Sequence, residues 1–107
     1  MFLAKFSTAG ATSFAKAIGN DGVFVEALAI DAANNILATG ENWSSTFLGG
    51  ARGAFVAKFS SGGAYRTAVF VGSASATANS IAVDDTTSDP VAAGSDYPSN
   101  YLTKLNP

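Results

Sequence analysis

The segment Phe55-Val56-Ala57-Lys58-Phe59-Ser60 decides the fold of this chain, because the chain repeats it nearly three times. Related segments stand at Phe2-Leu3-Ala4-Lys5-Phe6-Ser7 and at Tyr101-Leu102-Thr103-Lys104-Leu105-Asn106. In each copy an aromatic residue is followed by an aliphatic residue, a small residue, a lysine and a large apolar residue. The copies begin about 53 and about 46 residues apart, a period typical of propellers and solenoids. The sequence therefore predicts repeat units at about residues 2–54 and 55–100, with a third beginning at 101–107.

The composition fits one small domain or a piece of a larger repeat array. Of the 107 residues, 48% are hydrophobic and only 13% are charged, so the chain has ample material for a core. The six basic residues are dispersed singly and the formal net charge is −2, so we expect no nucleic-acid partner. No apolar run approaches the roughly 20 residues of a membrane span. We therefore expect no membrane span, and no signal peptide in this chain, since Lys5 interrupts the first apolar residues.

The absence of cysteine and histidine restricts the possible chemistry. Serine–histidine–aspartate triads, cysteine–histidine pairs and histidine-bound metals are all excluded. The sequence predicts that the chain is not an enzyme and carries no metal site and no cofactor.

Alternating apolar residues predict strands along most of the chain. Phe2–Phe6 alternates with the period of two that is typical of a strand. The segment Val23–Ile30 is compatible with a helix by composition. However, Leu28-Ala29-Ile30-Asp31 recurs as Ile81-Ala82-Val83-Asp84, and the second copy is β-branched at both large positions. We therefore predict that both copies are strands ending in an aspartate.

Each of these strands is followed by a turn and a return strand, at Ile36–Gly40 and at Val91–Gly94. Pro90 cannot donate a hydrogen bond to a strand neighbour, so we expect the second return strand to start late or to lie at a sheet edge. The resulting cycle has four antiparallel strands in each unit of roughly 50 residues. The predicted fold class is all-β, with antiparallel four-stranded propeller blades, roughly two in tandem.

Two phrases of the sequence resemble the bacterial seven-bladed β-propeller repeats known as SBBP. The first is Ala54-Phe55-Val56-Ala57-Lys58-Phe59 with the Ser61-Gly62-Gly63-Ala64 turn. The second is Ala27 to Gly40, with Asn79-Ser80-Ile81-Ala82-Val83-Asp84 as its later copy. The resemblance covers nearly the whole chain, although Asn34 stands where the family turn usually has glycine.

The resemblance implies a strand order and a cellular setting. Residues 27–71 would form one complete blade, 2–18 the outer half of a preceding blade, and 79–105 three strands of a following one. Two and a fraction blades do not close a ring, since propellers need roughly four or more. The chain is then a partial or open propeller, or a protomer that closes by oligomerising, and the family setting is extracellular or at the cell surface.

Two kinds of residue are candidates for function. The loop aromatics Trp43, Phe47 and Tyr97 form a candidate ligand-binding set, because exposed aromatic rings often anchor partners or sugars. The alternative is that Trp43 and Phe47 cover the apolar gap between blades.

Asp31 and Asp84 occupy equivalent positions and could act together as acid and base, or each could cap its own turn. The acidic turn at 84–89 could attract Ca²⁺ weakly, but its spacing lacks a calcium-loop pattern.

The expected function is a non-catalytic repeat module that serves as a scaffold or protein-interaction surface. The alternatives are a carbohydrate or small-ligand module using the loop aromatics, and a hydrolase or lyase using Asp31 and Asp84. The expected partners are other blades or proteins. Since an open array leaves apolar faces bare, we also expect self-association.

Overall fold

A computed structural model describes residues 1–19, 22–96 and 99–105 of the chain. In this part of the chain the fold is all-β, as predicted, with antiparallel strands throughout and no α-helix. The strands are β1 (Phe2–Phe6), β2 (Thr12–Ala17), β3 (Val23–Ile30), β4 (Ile36–Asn42), β5 (Gly53–Phe59), β6 (Tyr65–Val71), β7 (Thr77–Val83), β8 (Pro90–Asp96) and β9 (Ser99–Lys104). A short 3-10 helix, Phe47–Gly50, lies in the loop between β4 and β5.

The described strands form three open sheets whose order follows the chain. Sheet 1 contains β1 and β2, sheet 2 contains β3 to β6, and sheet 3 contains β7 to β9. The segment Val23–Ile30 is a strand, so the repeat predicted its structure correctly and its helix propensity did not. The β-branched copy at Ile81 to Val83 lies in the equivalent strand of sheet 3.

Sheet 2 lies between the other two sheets. On one face, Leu3 of β1 joins a buried cluster with side chains of β4 and β5, including Phe55 and Phe59. On the other face, β7 lies against β3 and β4, and Ala76 and Ala78 pack against Ala54. The most buried residues therefore belong to β4 and β5, the two central strands of the central sheet.

The hairpin turns of sheets 1 and 2 are built in the same way. Ser7 and Ser60 each accept, through the hydroxyl oxygen, a hydrogen bond from the backbone N–H four residues later, at 3.1 and 3.0 Å. The residue that closes each turn is a glycine with positive φ, 85° at Gly10 and 86° at Gly63. L-residues with a Cβ rarely adopt this conformation, so these glycines set the turn geometry.

Sheets 2 and 3 contain an equivalent bulge opposite a glycine. The pairing of β3 with β4 shifts between Val25 and Ala27, opposite Gly40. The pairing of β7 with β8 shifts between Ala78 and Ser80, opposite Gly94. A β-bulge increases the local twist of a strand, so the two sheets twist at corresponding points.

The position of Pro90 differs from the expectation for that strand. Strand β8 begins at Pro90, which pairs with Val83 just as Ile36 pairs with Ile30 in sheet 2, so the strand does not start late. Strand β8 is also the central strand of sheet 3 and not an edge strand. The first position of a strand tolerates proline, and the Pro90 carbonyl still accepts a hydrogen bond of 2.8 Å from the Leu105 N–H.

Candidate interaction surface

In sheet 2, the aspartate that follows β3 pairs with a lysine of β5, two strands away. Asp31 is buried and closes the turn after β3, where its Oδ1 accepts hydrogen bonds from the Ala33 and Asn35 N–H groups at 3.0 and 2.8 Å. Its Oδ2 accepts a hydrogen bond of 2.9 Å from the Asn35 side chain and lies 3.6 Å from Lys58 Nζ. The side chain of Asp31 therefore joins the turn to β5.

The same pair occurs in sheet 3. Lys104 Nζ donates a hydrogen bond of 2.6 Å to Asp84 Oδ2 and lies 3.8 Å from Asp89 Oδ2. Asp84 Oδ1 accepts hydrogen bonds from the backbone N–H and the hydroxyl of Thr86, at 2.9 and 2.6 Å. The pair thus recurs with the repeat of the chain.

Both aspartates are held in the ionised form. Burial raises the pKa of Asp31, but the hydrogen bonds from Asn35 and Ala33 and the charge of Lys58 together bring it below its ordinary value. The hydrogen bonds from Lys104 and then from Thr86 hold the pKa of Asp84 far below its ordinary range, and the same contact raises the pKa of Lys104. Each carboxylate caps its own turn and bonds its own lysine. This arrangement supports the capping role and leaves neither aspartate available as a proton donor at neutral pH.

The described residues hold no cluster of three or more acidic side chains that could bind a metal ion. Backbone hydrogen bonds close the acidic turn at 84–89. The Asp84 N–H donates to the Asp89 carbonyl at 2.9 Å, and the Ser88 N–H donates to the Asp84 carbonyl at 2.7 Å.

The lysine of the first copy has a different environment. Lys5 Nζ donates a hydrogen bond of 3.3 Å to the Ser61 carbonyl and forms no ion pair within the described part of the chain. Among the described residues, sheet 1 contains β1 and β2 alone, and Lys5 therefore has no equivalent of the aspartates that follow β3 and β7 in the other two sheets.

Asn42 organises the loop that carries the predicted aromatic residues. Its side-chain N–H groups donate to the carbonyls of Phe47 and Ala51 at 3.1 and 2.6 Å, and its Oδ1 accepts from the Ser44 N–H at 3.0 Å. Asn42 is fully buried, so these bonds satisfy a polar group that could not reach water. No local pattern of the sequence distinguishes Asn42 from an exposed asparagine, so its role could not be predicted.

The structure places the three candidate aromatic residues in different environments. Phe47 is 7% exposed and packs edge-on against Phe55, with ring centroids 5.2 Å apart. Trp43 is 47% exposed, and the Arg52 guanidinium lies 5.0 Å from its ring centroid. Tyr97 lies outside the described residues. Among the described candidates, only the Trp43 ring is accessible to a ligand.

Large apolar side chains are exposed on sheet 1 and on the adjoining part of β3. Phe2 is 79% exposed on the outer face of β1. Leu28 and Ile30 are 55% and 56% exposed on β3, beside the free edge of β1. Two clefts of about 270 and about 210 Å³ lie there, and both are lined by Leu3, Ala4 and Leu28. Exposed apolar patches of this kind are common where folded domains contact a partner.

A third cleft lies at the opposite end of the stack, between sheets 2 and 3. It has a volume of about 280 Å³ and its lining includes Val56 and Val69 of sheet 2, and Pro90 and Leu105 of sheet 3. At this place the described part of sheet 3 contains three strands and sheet 2 contains four. The clefts on both sides thus lie beside sheets that have fewer strands than sheet 2.

No family model matches the sequence, and no curated protein sequence matches it significantly. In the described part of the chain, no helix has the length and apolar character needed to cross a membrane.

Proposed function

We propose that this chain is a non-catalytic β-repeat module, a partial propeller in which equivalent sheets pack face to face. The module serves as a scaffold or protein-interaction surface. The single observation that carries the proposal is the apolar surface beside β1, where Phe2, Leu28 and Ile30 are 79%, 55% and 56% exposed. A three-sheet stack of this kind is the arrangement expected of neighbouring propeller blades. The resemblance to SBBP repeats adds an extracellular or cell-surface setting to the proposal.

The chemistry of the polar residues favours a structural role over catalysis. The Asp–Lys pairs of sheets 2 and 3 are used to connect a turn to a strand, and the clefts are lined mainly by apolar side chains. Apolar clefts next to free strand edges suit a β-strand partner, which contributes both main-chain hydrogen bonds and side chains.

The proposal is tested by measuring association of the purified chain with light scattering over a range of concentrations. We expect concentration-dependent association that Phe2→Asn and Leu28→Asn each weaken at least tenfold while circular dichroism stays unchanged. Trp43→Asn is the control, because it removes an exposed apolar side chain from a loop. A chain that stays monomeric at all accessible concentrations, or associates equally well with both substitutions, would contradict the proposal.

A second candidate function is the binding of a carbohydrate or another small ligand by Trp43. The accessible ring of Trp43 and the adjacent Arg52 guanidinium favour it, because an aromatic face and a planar cation together suit a sugar ring with hydroxyl groups. Trp43 is the only tryptophan of the chain, so its fluorescence reports directly on binding. Titration with a panel of oligosaccharides should change this fluorescence, and Arg52→Ala should abolish the change; an unchanged spectrum with every sugar would exclude the candidate.

A further inference from the structure

We propose that Trp43 and Arg52 form a binding site for an acidic saccharide. In this site the indole ring contacts the apolar face of a sugar ring, and the guanidinium binds the carboxylate of the sugar. The proposal rests on the second candidate function above and names its ligand class. The two residues lie at the two ends of the loop between β4 and β5, which contains residues 43–52.

This loop is longer than the connection between its strands requires. Residues 43–52 lie between β4 and β5, whereas only residues 97–98 lie between β8 and β9. Strands β4 and β8 are equivalent, because each carries the glycine that lies opposite a bulge, Gly40 in β4 and Gly94 in β8. The additional residues are therefore not needed to connect the strands of such a sheet. Long loops on a rigid scaffold commonly carry binding residues.

The loop is held at both ends by the same buried side chain. Asn42 directly precedes Trp43, and its side chain donates a hydrogen bond of 2.6 Å to the carbonyl of Ala51, which directly precedes Arg52. The Trp43 N–H also donates a hydrogen bond of 2.6 Å to the Gly22 carbonyl. The backbone on either side of the pair is thus ordered by the protein itself. A site that is already ordered loses little conformational entropy when a ligand binds.

The Arg52 guanidinium has hydrogen-bond donors that the described part of the chain does not use. Its Cζ lies over the Trp43 ring, 5.0 Å from the ring centroid. Among the described residues, the Arg52 side chain forms no ion pair and no hydrogen bond. A guanidinium carries five N–H donors in one plane, and they form a fork that matches the two oxygens of a carboxylate. The ring positions the cation, and its donors are available to an anion.

Trp43 presents an open ring face to a ligand. The residue is 47% exposed although Arg52 lies over its ring. An apolar side chain of a protein partner contributes most when it fills a well-packed, desolvated pocket. A sugar ring needs only a flat aromatic face on which its C–H groups can lie. The open ring therefore favours a saccharide over a peptide.

The cation distinguishes an acidic saccharide from a neutral one. In a uronic acid the carboxylate is attached to the sugar ring, so a single unit of the ligand can contact both Trp43 and Arg52. The six basic residues of the chain are dispersed and its formal net charge is −2, so general attraction of anions does not favour such a ligand. Charge-assisted hydrogen bonds to Arg52 provide the specificity.

Fluorescence titration tests the preference for an acidic sugar, because Trp43 is the only tryptophan of the chain. The probes are trisaccharides of galacturonate, glucuronate and mannuronate. Each is compared with its own methyl ester, which keeps the sugar rings and lacks the charge. We expect at least one acid to bind, and to bind at least tenfold more tightly than its ester. No response to any acid, or equal affinity for acid and ester, would overturn the proposal.

Arginine substitutions test whether Arg52 is the group that binds the carboxylate. Arg52→Ala should abolish the response to the acid. Arg52→Lys, which keeps the charge without the fork, should weaken binding at least fivefold. Arg66→Ala is the matched control, because Arg66 is exposed on β6 and its removal changes the net charge equally. With circular dichroism unchanged in all variants, undiminished binding by Arg52→Ala, or an equal loss in Arg66→Ala, would overturn the assignment.

Competition with a polyglutamate peptide separates saccharide recognition from the binding of an acidic peptide. The peptide lacks the sugar ring that contacts Trp43, so it should displace the bound acid at least tenfold less effectively than the unlabelled trisaccharide does. Equal displacement would overturn the choice of a saccharide as the ligand.

The proposal and the second candidate function fail in different ways. If neutral oligosaccharides change the Trp43 fluorescence and the acids bind no more tightly, the site binds sugars without a preference for acid, and only the present proposal fails. If no saccharide changes the fluorescence, both fail.

Discussion

The carboxylate of Asp31 lies 3.6 Å from the ammonium of Lys58 and also accepts hydrogen bonds from the backbone N–H groups of Ala33 and Asn35 in its own turn. One buried side chain thus connects the end of β3 to β5, across β4. The equivalent pair Asp84 and Lys104 connects β7 to β9 in the same way. This polar pair recurs together with the apolar repeat, and in each sheet it joins the first strand to the third.

Removal of the Asp31 side chain should destabilise the fold. Asp31→Ala leaves the N–H groups of Ala33 and Asn35 without their acceptor, and we expect a loss of about 1–3 kcal/mol in the free energy of unfolding. Urea denaturation measures this loss. Asp85→Ala is the matched control, because Asp85 is exposed in the equivalent turn of sheet 3. Equal stability of both variants would show that the turn does not need its cap.

Stability should depend on pH at the acidic and basic extremes. The pKa of Asp31 is lower in the folded chain than in the unfolded chain, as are those of Asp84 and Asp96. Their stabilising effect is complete above the unfolded value of about 4 and is lost as the pH falls through the folded pKa. Lys104 has a raised pKa, so its effect is present below about pH 10 and is lost as the pH rises through the folded pKa.

Between these limits the free energy of unfolding should change little, since the chain has no histidine. Denaturation midpoints measured at pH 2.5, 4, 7 and 9 test this expectation, and Asp31→Asn should reduce the acid dependence. A steep change between pH 5 and pH 8 would contradict it.

Gly40 and Gly94 should not tolerate a side chain. A methyl group at Gly40 would lie 1.8 Å from the Phe24 carbonyl oxygen, and one at Gly94 would lie 1.9 Å from that of Thr77. Because backbone atoms of a paired strand cannot move aside cheaply, we expect each Gly→Ala substitution to cost about 3 kcal/mol or more. Gly62→Ala is the control, since its nearest neighbour, a Ser60 side-chain atom, lies 3.9 Å away. Thermal unfolding followed by circular dichroism distinguishes the three variants, and equal midpoints would refute the bulge argument.

Two turn positions should be improved by glycine. Asn34 and Ser88 have φ angles of 64° and 61°, the left-handed region that strains residues with a Cβ. Asn34→Gly and Ser88→Gly should raise the free energy of unfolding by up to about 1 kcal/mol, with the larger gain at Ser88 because asparagine tolerates this region better than serine. Chemical denaturation measures both, with Ala32→Gly as a control in the same turn. A loss of stability in either variant would contradict the prediction.

Asn42 should control the environment of Trp43. Asn42→Ala removes three buried hydrogen bonds from the loop between β4 and β5, and we expect a cost of about 2–3 kcal/mol. Because the loop then loses its anchor, the fluorescence of Trp43 should shift to longer wavelength. Asn79→Ala, at an exposed asparagine, should change neither the stability nor the spectrum. An unshifted spectrum in Asn42→Ala would show that other contacts hold the loop.

The sequence by itself determined the strands, the turns and their repetition. These features depend on interactions between residues close in the chain: the alternation of Phe2–Phe6, the serine–glycine turns and the aspartates that end β3 and β7. The recurrence of Leu28 to Asp31 at Ile81 to Asp84 was enough to identify a strand where composition alone was also compatible with a helix.

The tertiary structure decided which of these residues are buried and which side chains meet. Trp43 and Phe47 belong to one loop, yet Phe47 packs in the core and Trp43 remains accessible, because burial depends on the sheet that lies opposite. Lys58 and Lys5 have the same local sequence, but among the described residues only Lys58 of the two has an aspartate of its own sheet within reach. Alternation and turn chemistry are local properties of a chain. The neighbours that a sheet face acquires are not, and they determine which residues are free to bind a partner.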